Sequence, residues 1–79
     1  MSTIQKKVTE IIVNNLNIEE ADVKLEASFV DDLQADSIDI VDLILEFEKE
    51  FDVTISDQVA EGLVTVGDCI FWLQDNVKS

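Results

Sequence analysis

The chain contains no histidine and only one cysteine, Cys69. A single cysteine cannot form an intrachain disulfide. Without histidine, the chain can build neither a Cys/His zinc site nor a Ser-His-Asp or Cys-His catalytic group. These absences exclude most hydrolytic chemistry.

Positive charge is also scarce. Five lysines and no arginine stand against 18 carboxylates, which gives a formal net charge of −13. Such a chain repels nucleic-acid phosphates and anionic lipids, and its field speeds encounters with basic patches on other proteins. The composition therefore predicts basic protein partners, no nucleic-acid partner and no role at membrane surfaces.

Long apolar runs are missing too, so we expect no integral membrane association. The N-terminal stretch "MSTIQKKVTE" lacks the apolar core of a signal peptide and the arginines of a transit peptide. We therefore expect a cytoplasmic protein, or an organellar one that has already been processed. Because 79 residues without a linker or repeat suffice for only one core, residues 1–79 are predicted to form a single domain.

The spacing of apolar residues predicts three longer helices and one short helix. We expect helices over residues 3–16 and 37–51, a short helix that ends at Gly62, and a last helix capped by Thr65. No stretch alternates with period two and no Asn-Gly or Asp-Gly turn occurs, so strands are not expected. The predicted fold is all-α, a small four-helix bundle.

The predicted helices leave a long loop, residues 17–36, between the first and the second. A loop of this length in so small a domain is usually functional. Isolated apolar residues are expected to anchor it over the core; they are Ile18, Val23, Leu25, Phe29 and Leu33.

The stretch "DLQADSIDIVDL", residues 32–43, places the hydroxyl of Ser37 between Asp36 and Asp39 at the predicted start of the second helix. The pattern is typical of a helix cap, with Asp36 or Ser37 as the cap and Asp39 near the positive end of the helix dipole. Local structure alone explains it, so the pattern does not by itself assign a function to Ser37.

The second helix carries two apolar stripes. One, expected to face the core, consists of Ile40, Leu43, Ile44, Phe47 and Phe51. At about 100° per residue, the other lies roughly 130–140° away; it consists of Ile38, Val41 and Leu45. Carboxylates flank this second stripe; they are Asp39, Asp42, Glu46 and Glu50 on one side and Glu48 and Asp52 on the other. An exposed apolar strip with a negative rim predicts a docking surface, although a helix buried on two sides would show the same stripes.

The whole chain resembles a type II acyl carrier protein of bacterial or organellar fatty acid synthesis. The resemblance runs through "STIQKKVTEIIV", "EASFVDDLQADSIDIVDLILEFEKEFDVTI" and "VTVGDCI", and "DSI" is similar to the family's Asp-Ser-Leu motif. It implies that Ser37, flanked by Asp36 and Asp39, accepts 4′-phosphopantetheine from coenzyme A through a separate, Mg²⁺-dependent transferase. The arm would carry growing fatty acyl chains as thioesters. No catalysis by the chain itself is expected, because no base adjoins Ser37.

The resemblance also bears on partners and cargo. Basic patches of the transferase and of fatty acid synthesis enzymes are expected to bind the second stripe and its rim; these residues are Ile38, Asp39, Val41, Asp42, Leu45, Glu46 and Glu48. A pocket for the acyl chain is expected to be lined by Phe29, Leu43, Phe47, Ile55, Ala60, Leu63 and Cys69. The inward spacing of Cys69 indicates a small buried hydrophobe rather than a reactive thiol. We expect a monomer without a specific metal site.

Five positions depart from the family's usual pattern; they are Gln34, Ser56, Gly62, Phe71 and Trp72. Gln34 stands where glycine is common, so the turn before Ser37 is expected to differ if that position needs a positive φ. Ser56 and Gly62 are expected to loosen the short helix. The sequence assigns no role to Phe71 or Trp72.

Other functions compete with this interpretation. A calcium-binding EF-hand loop that began at Asp32 would need glycine at Ser37 and glutamate at Leu43, so that function is excluded. An acidic non-covalent binding protein or inhibitor would need only the charge. A polyketide, peptidyl or aminoacyl carrier shares the serine motif, and the sequence does not distinguish the cargo.

Overall fold

The computed structural model describes residues 3–77, and its regular structure is helical throughout. The α-helices are α1 Thr3–Leu16, α2 Ser37–Phe51, α3 Asp57–Gly62 and α4 Val66–Asn76, with one turn of 3₁₀ helix at Glu20–Asp22. This confirms the predicted all-α fold of three longer helices and one short helix. None of the helices in the described part of the chain is long and apolar enough to span a membrane.

The core forms where α1 packs against both α2 and α4. Val8 and Ile12 on α1 are fully buried, as the amphipathic spacing of that helix requires. On the surface, Lys7 Nζ lies 3.2 Å from Glu50 Oε2 and links α1 to α2. That ion pair is exposed, so burial of apolar side chains rather than charge pairing stabilises the bundle.

α2 ends at Asp52, whose φ of 53° places it in the left-handed region and whose N–H donates to the carbonyl of Glu48. The side chain of Glu48 then holds the following segment, because its Oε2 accepts the N–H of Ile55 at 2.7 Å. Ile55 is itself buried. One glutamate therefore fixes both the end of α2 and the approach to α3.

The loop between α1 and α2 runs antiparallel to the start of α4. The N–H of Phe29 donates to Val64 O at 3.1 Å, that of Val66 to Ala27 O at 3.0 Å, and that of Gly67 to Leu25 O at 2.8 Å. A Cβ on Gly67 would lie only 2.9 Å from Leu25 O. Only glycine therefore allows the loop to approach α4 this closely.

Four of the five predicted loop anchors are confirmed. Phe29 and Leu33 are buried, and Ile18 and Val23 pack half-buried against the core. The prediction is wrong for Leu25, whose side chain is 44% exposed. Leu25 holds the loop through its backbone carbonyl, which a pattern of side chains does not reveal.

The two C-terminal helices begin at side-chain caps. The hydroxyl of Ser56 accepts the N–H of Val59 at 3.2 Å and caps α3. Thr65 caps α4 in a capping box with Asp68, as predicted.

α3 contains no buried residue and ends at Gly62, which has open space around it. The predicted loosening of α3 by Ser56 and Gly62 stays a prediction.

The two bulky residues of α4 differ in their surroundings. Trp72 is half-buried and packs against the core, whereas Phe71 is 61% exposed. Nothing in the structure explains an exposed phenylalanine at this position.

Candidate functional site

The chain that leads into α2 is held by its own backbone. Ala35 is buried, and its N–H donates to Phe29 O at 2.8 Å. Between these two residues, the N–H groups of Asp32 and Leu33 both donate to Ser28 O at 3.0 Å. The turn closes at Gln34, which has a φ of 58°. This position therefore does adopt a positive φ, and the turn accommodates it with glutamine in place of glycine.

A capping box starts α2. Asp36 is the N-cap, and its Oδ1 accepts the N–H of Asp39 at 2.9 Å. In return, Asp39 Oδ2 accepts the N–H of Asp36 at 3.3 Å. Of the two caps that the sequence allowed, the structure therefore selects Asp36, and Ser37 is the first residue of the helix.

Ser37 is exposed on the outside of this first turn. The carboxylates of its acidic neighbours both accept backbone hydrogen bonds, and the chain has no histidine. The exposed hydroxyl can accept a group that another protein delivers.

The start of α2 is chemically suited to a phosphodiester on Ser37. The first N–H groups of a helix have no acceptor within the helix, and the Asp36 carboxylate takes only that of Asp39. The N–H groups of Ser37 and Ile38 point the same way, and the helix dipole favours an anion there. The exposed position leaves space for a long arm, so the residues present fit phosphopantetheine.

The second apolar stripe of α2 faces away from the core. The exposed fractions are 72% for Ile38, 56% for Val41 and 52% for Leu45. This excludes the alternative of a helix buried on two sides. We call these three side chains the α2 stripe.

The predicted acidic rim of the α2 stripe is not uniform. Asp42 and Glu46 are exposed, and within the described residues no hydrogen bond holds either carboxylate. Asp39 and Glu48 are half-buried and accept backbone N–H groups. The sequence could not show the contact of Glu48, because it joins the side chain to a backbone N–H seven residues away. The contact of Asp39 belongs to the capping signature at "DSID".

Most of the residues predicted to line an acyl pocket surround one small cavity. A cavity of about 10 Å³ lies between α2, α4 and the segments that flank them, which is room for about one water molecule. Its lining residues are Phe29, Ile40, Leu43, Ile44, Phe47, Leu63 and Cys69. An acyl chain would need these side chains to move apart.

Five of the seven residues predicted for the pocket line this cavity; they are Phe29, Leu43, Phe47, Leu63 and Cys69. The other two lie elsewhere: Ile55 is buried next to the end of α2, and Ala60 lines an open groove beside α3. Ile40 and Ile44 were missing from the prediction. Their place on the core stripe of α2, next to Leu43 and Phe47, was the signal that could have found them.

Cys69 is buried at 1% exposure. Burial, with a smaller contribution from the charge of Asp68, raises the pKa of its thiol from 9.0 to about 12. The thiol is therefore neutral near pH 7, which agrees with the predicted role of a small hydrophobe. Among residues 3–77, no group of histidine, cysteine and carboxylate side chains is arranged to hold a metal ion.

Three comparisons with known proteins agree with this geometry. The family model described as a phosphopantetheine attachment site matches residues 6–70. Acyl carrier proteins from two strains of Porphyromonas gingivalis are each 47% identical over 78 residues, which cover 99% of this chain and 100% of theirs. The solved structure of an acyl carrier protein from Enterococcus faecalis is 40% identical, with a TM-score of 0.80 over 92% of each chain.

Proposed function

Because the chain belongs to the acyl carrier protein family, we propose that Ser37 is the residue that carries its 4′-phosphopantetheine. The observation that supports this most is the exposed hydroxyl at the first position of α2, inside the segment that matches the attachment-site family. The prosthetic group supplies a thiol, which holds acyl groups as thioesters. We further propose that the cargo consists of growing fatty acyl chains and that residues 1–79 act as one carrier domain.

Attachment forms a phosphodiester at Ser37 Oγ. The pyrophosphate linkage of coenzyme A breaks, so that adenosine 3′,5′-bisphosphate leaves, and the hydroxyl proton leaves Ser37. Asp36 and Asp39 each accept a backbone N–H, and we expect the proton to pass to a base of the transferase. The contribution of this chain is position and exposure, and we expect it to catalyse no reaction alone.

The α2 stripe and its rim are the proposed docking face for the transferase and for acyl-handling enzymes. Ile38, Val41 and Leu45 offer apolar contact area, and Asp42 and Glu46 offer charges that are free to meet basic side chains. Asp39 and Glu48 remain proposed partner residues, although each also holds a backbone N–H.

The small cavity between α2 and α4 is the proposed origin of the acyl pocket. Its walls are apolar, and Leu63, which follows the short helix α3, is one of them. Because α3 buries no residue, its displacement costs less than that of a longer helix would. We therefore expect the cavity to enlarge toward α3 when cargo is bound.

We also propose an oligomeric state and a cellular location. We propose a monomer that works in the cytoplasm, or in an organelle after processing, because the similar proteins are bacterial acyl carrier proteins. Its partners would bind it through basic patches, as the net charge of −13 favours.

The attachment site is tested by incubating the protein with coenzyme A, Mg²⁺ and a broad-specificity transferase. We expect the wild type to gain one phosphopantetheine by intact-mass measurement and Ser37→Ala to gain none. Ser56→Ala is the matched control, because Ser56 is another exposed serine at the start of a helix, and it should be modified like the wild type. An unmodified wild type would favour the non-covalent acidic binder, and a modified Ser37→Ala would refute the assignment.

The docking face is tested by the kinetics of transferase binding. Leu45→Ala should speed dissociation by an amount worth on the order of 1–2 kcal/mol. Phe71→Ala is the control, because it truncates another large exposed side chain, on α4, and should change neither rate. A Leu45→Ala protein that loses stability but dissociates at the wild-type rate would contradict the docking role.

The rim is tested by charge reversal. Asp42→Lys should chiefly slow association and flatten its dependence on salt, because rim charges steer encounter more than they hold the complex. Asp75→Lys reverses an exposed charge on α4 and controls for the change in net charge. Equal slowing by the two variants would mean that only the total charge acts, without a localised docking face.

A further inference from the structure

Phe71 is an exposed aromatic side chain to which the packing of the bundle assigns no role. Outside α2 it is the most exposed large apolar side chain of residues 3–77, with 61% of its surface in solvent. At about 100° per residue, it lies roughly 100–160° around α4 from the buried residues that face the core; these are Val66, Cys69, Ile70 and Leu73. Phe71 therefore does not pack into the core, and a role for it must lie at the surface.

A second exposed apolar side chain, that of Leu25, lies near Phe71. Gly67 is one turn before Phe71 on the same side of α4, and a Cβ at Gly67 would lie 3.6 Å from Leu25 Cβ. Because residues i and i+4 of a helix have Cβ atoms about 5–6 Å apart, the Cβ atoms of Leu25 and Phe71 are at most about 10 Å apart. A helical phenylalanine leans toward the N-terminus, which here is toward Gly67 and the loop. We call these two side chains the Leu25–Phe71 surface.

The backbone beneath the Leu25–Phe71 surface is fixed. The N–H of Gly67 donates to Leu25 O at 2.8 Å, and the N–H of Val66 donates to Ala27 O at 3.0 Å. Ala27 and Gly67 are both buried. The loop and α4 therefore present their two apolar side chains from one rigid backbone unit, and a partner that binds them has little backbone to order.

The charges that adjoin this surface are mainly negative. Glu26 adjoins its loop side, and Asp75 lies one helical turn beyond its α4 side; both are exposed, and no hydrogen bond within residues 3–77 holds either carboxylate. Asp68 adds a third negative charge, although its carboxylate accepts the backbone N–H groups at the start of α4. Lys24 is a positive charge on the loop side. The balance of these charges favours a basic partner.

We propose that the Leu25–Phe71 surface is a second docking site, for a protein that presents an apolar pocket with a basic rim. Phe71 fills that pocket as the aromatic anchor, and Glu26 and Asp75 meet the basic side chains around it. A second copy of this chain does not fit, because two molecules that each carry a net charge of −13 repel one another, and anionic lipids are repelled for the same reason. The surface belongs to α4 and the loop, so this partner binds independently of the α2 stripe and of any group on Ser37.

The partner is identified by photo-crosslinking of the full chain in the cells that make it. Phe71→p-benzoylphenylalanine keeps an aromatic ring at the surface and makes it reactive to light. The same substitution at Leu45 samples the α2 stripe, and at Asn14, an exposed position on α1, it gives the background. We expect position 71 to capture a protein that position 14 does not capture and that differs from the proteins captured at position 45.

The captured protein is then purified, and its affinity for variants of the carrier is measured. Phe71→Ala should weaken binding roughly tenfold or more, and Leu25→Ala by about three- to tenfold. Asp75→Lys should weaken binding more at low salt than at high salt. Leu45→Ala and Ser37→Ala should bind within about twofold of the wild type. Because the Phe71 side chain is already in water, Phe71→Ala should melt within about 4 °C of the wild type.

Four results would overturn the proposal. Position 71 captures nothing beyond the background of position 14, or it captures a second copy of this chain, which would make the surface a dimer contact. The captured protein keeps its affinity for Phe71→Ala but loses it for Leu45→Ala, which would assign it to the α2 stripe. Loss of binding to Ser37→Ala would mean that the partner recognises the group on Ser37. A wild type that carries no phosphopantetheine refutes the attachment at Ser37 but leaves the expected binding to the Leu25–Phe71 surface unchanged.

Discussion

Gly67 is the position where a single added methyl group should test the packing of the loop against α4. Gly67→Ala would place a Cβ 2.9 Å from Leu25 O and 3.6 Å from Leu25 Cβ, whereas ordinary contacts begin at about 3.4 Å. The obstructing atom belongs to the backbone, so no side-chain rotation relieves the contact. The loop must retreat by about half an ångström, and the 2.8 Å hydrogen bond from the Gly67 N–H to that same oxygen weakens.

Three effects determine how much Gly67→Ala changes the free energy of unfolding. Overpacking costs about 1–3 kcal/mol, and a weakened backbone hydrogen bond costs up to about 1 kcal/mol. The smaller entropy of the unfolded alanine chain offsets about 0.4–1 kcal/mol of this. Together these effects span about 0–3.6 kcal/mol, and we expect Gly67→Ala to lower the free energy of unfolding by about 2 kcal/mol, which corresponds to about 8–16 °C in Tm for a domain of this size.

Gly62→Ala is the control, because it is the same substitution where nothing lies within 4 Å and φ is not positive. It should be neutral or stabilise by up to about 1 kcal/mol. Urea denaturation followed by the fluorescence of Trp72, the one tryptophan in the chain, measures both variants. A Gly67→Ala protein as stable as Gly62→Ala would refute the close approach of Leu25 to α4.

Two further predictions concern buried contacts. Glu48→Ala should lower the free energy of unfolding by about 1–2 kcal/mol, because the Ile55 N–H loses its acceptor. The control Glu46→Ala should change the free energy of unfolding by less than about 0.5 kcal/mol. Equal effects of the two variants in denaturation experiments would contradict this role of Glu48. The pKa of the Cys69 thiol, raised by burial from 9.0 to about 12, means that the folded state keeps a proton that the unfolded state releases above about pH 9. Stability should therefore fall between about pH 9 and 12 more steeply in the wild type than in Cys69→Ala, by up to about 1.4 kcal/mol per pH unit, and parallel pH profiles would disprove the shift.

The helices could be predicted from the sequence because their signals are local. The bounds of α1 and α2 follow from apolar residues three and four apart and from a capping signature at "DSID". The outward position of Leu45 followed from the same angular spacing. Each of these inferences needs only residues within one helix.

The contacts that the sequence did not reveal join a side chain to distant backbone, or depend on a missing side chain. The hydrogen bond from the Ile55 N–H to Glu48 spans seven residues and leaves no periodic trace. The approach of Leu25 to Gly67 depends on a carbonyl and an absent Cβ. For the same reason, Leu25 was wrongly predicted to bury its side chain. The choice between Asp36 and Ser37 as the cap also required coordinates, since both residue types cap helices well.

The most direct test of the central claim is to locate the prosthetic group on the protein purified from the cells that make it. Trypsin should release residues 25–49 as one peptide, since Lys24 and Lys49 bound it and no lysine or arginine lies between them. This peptide contains two serines, Ser28 and Ser37, and fragmentation in the mass spectrometer distinguishes them. We predict phosphopantetheine on Ser37, whose hydroxyl is exposed at the start of α2. The group on Ser28, or on any peptide other than 25–49, would contradict the account.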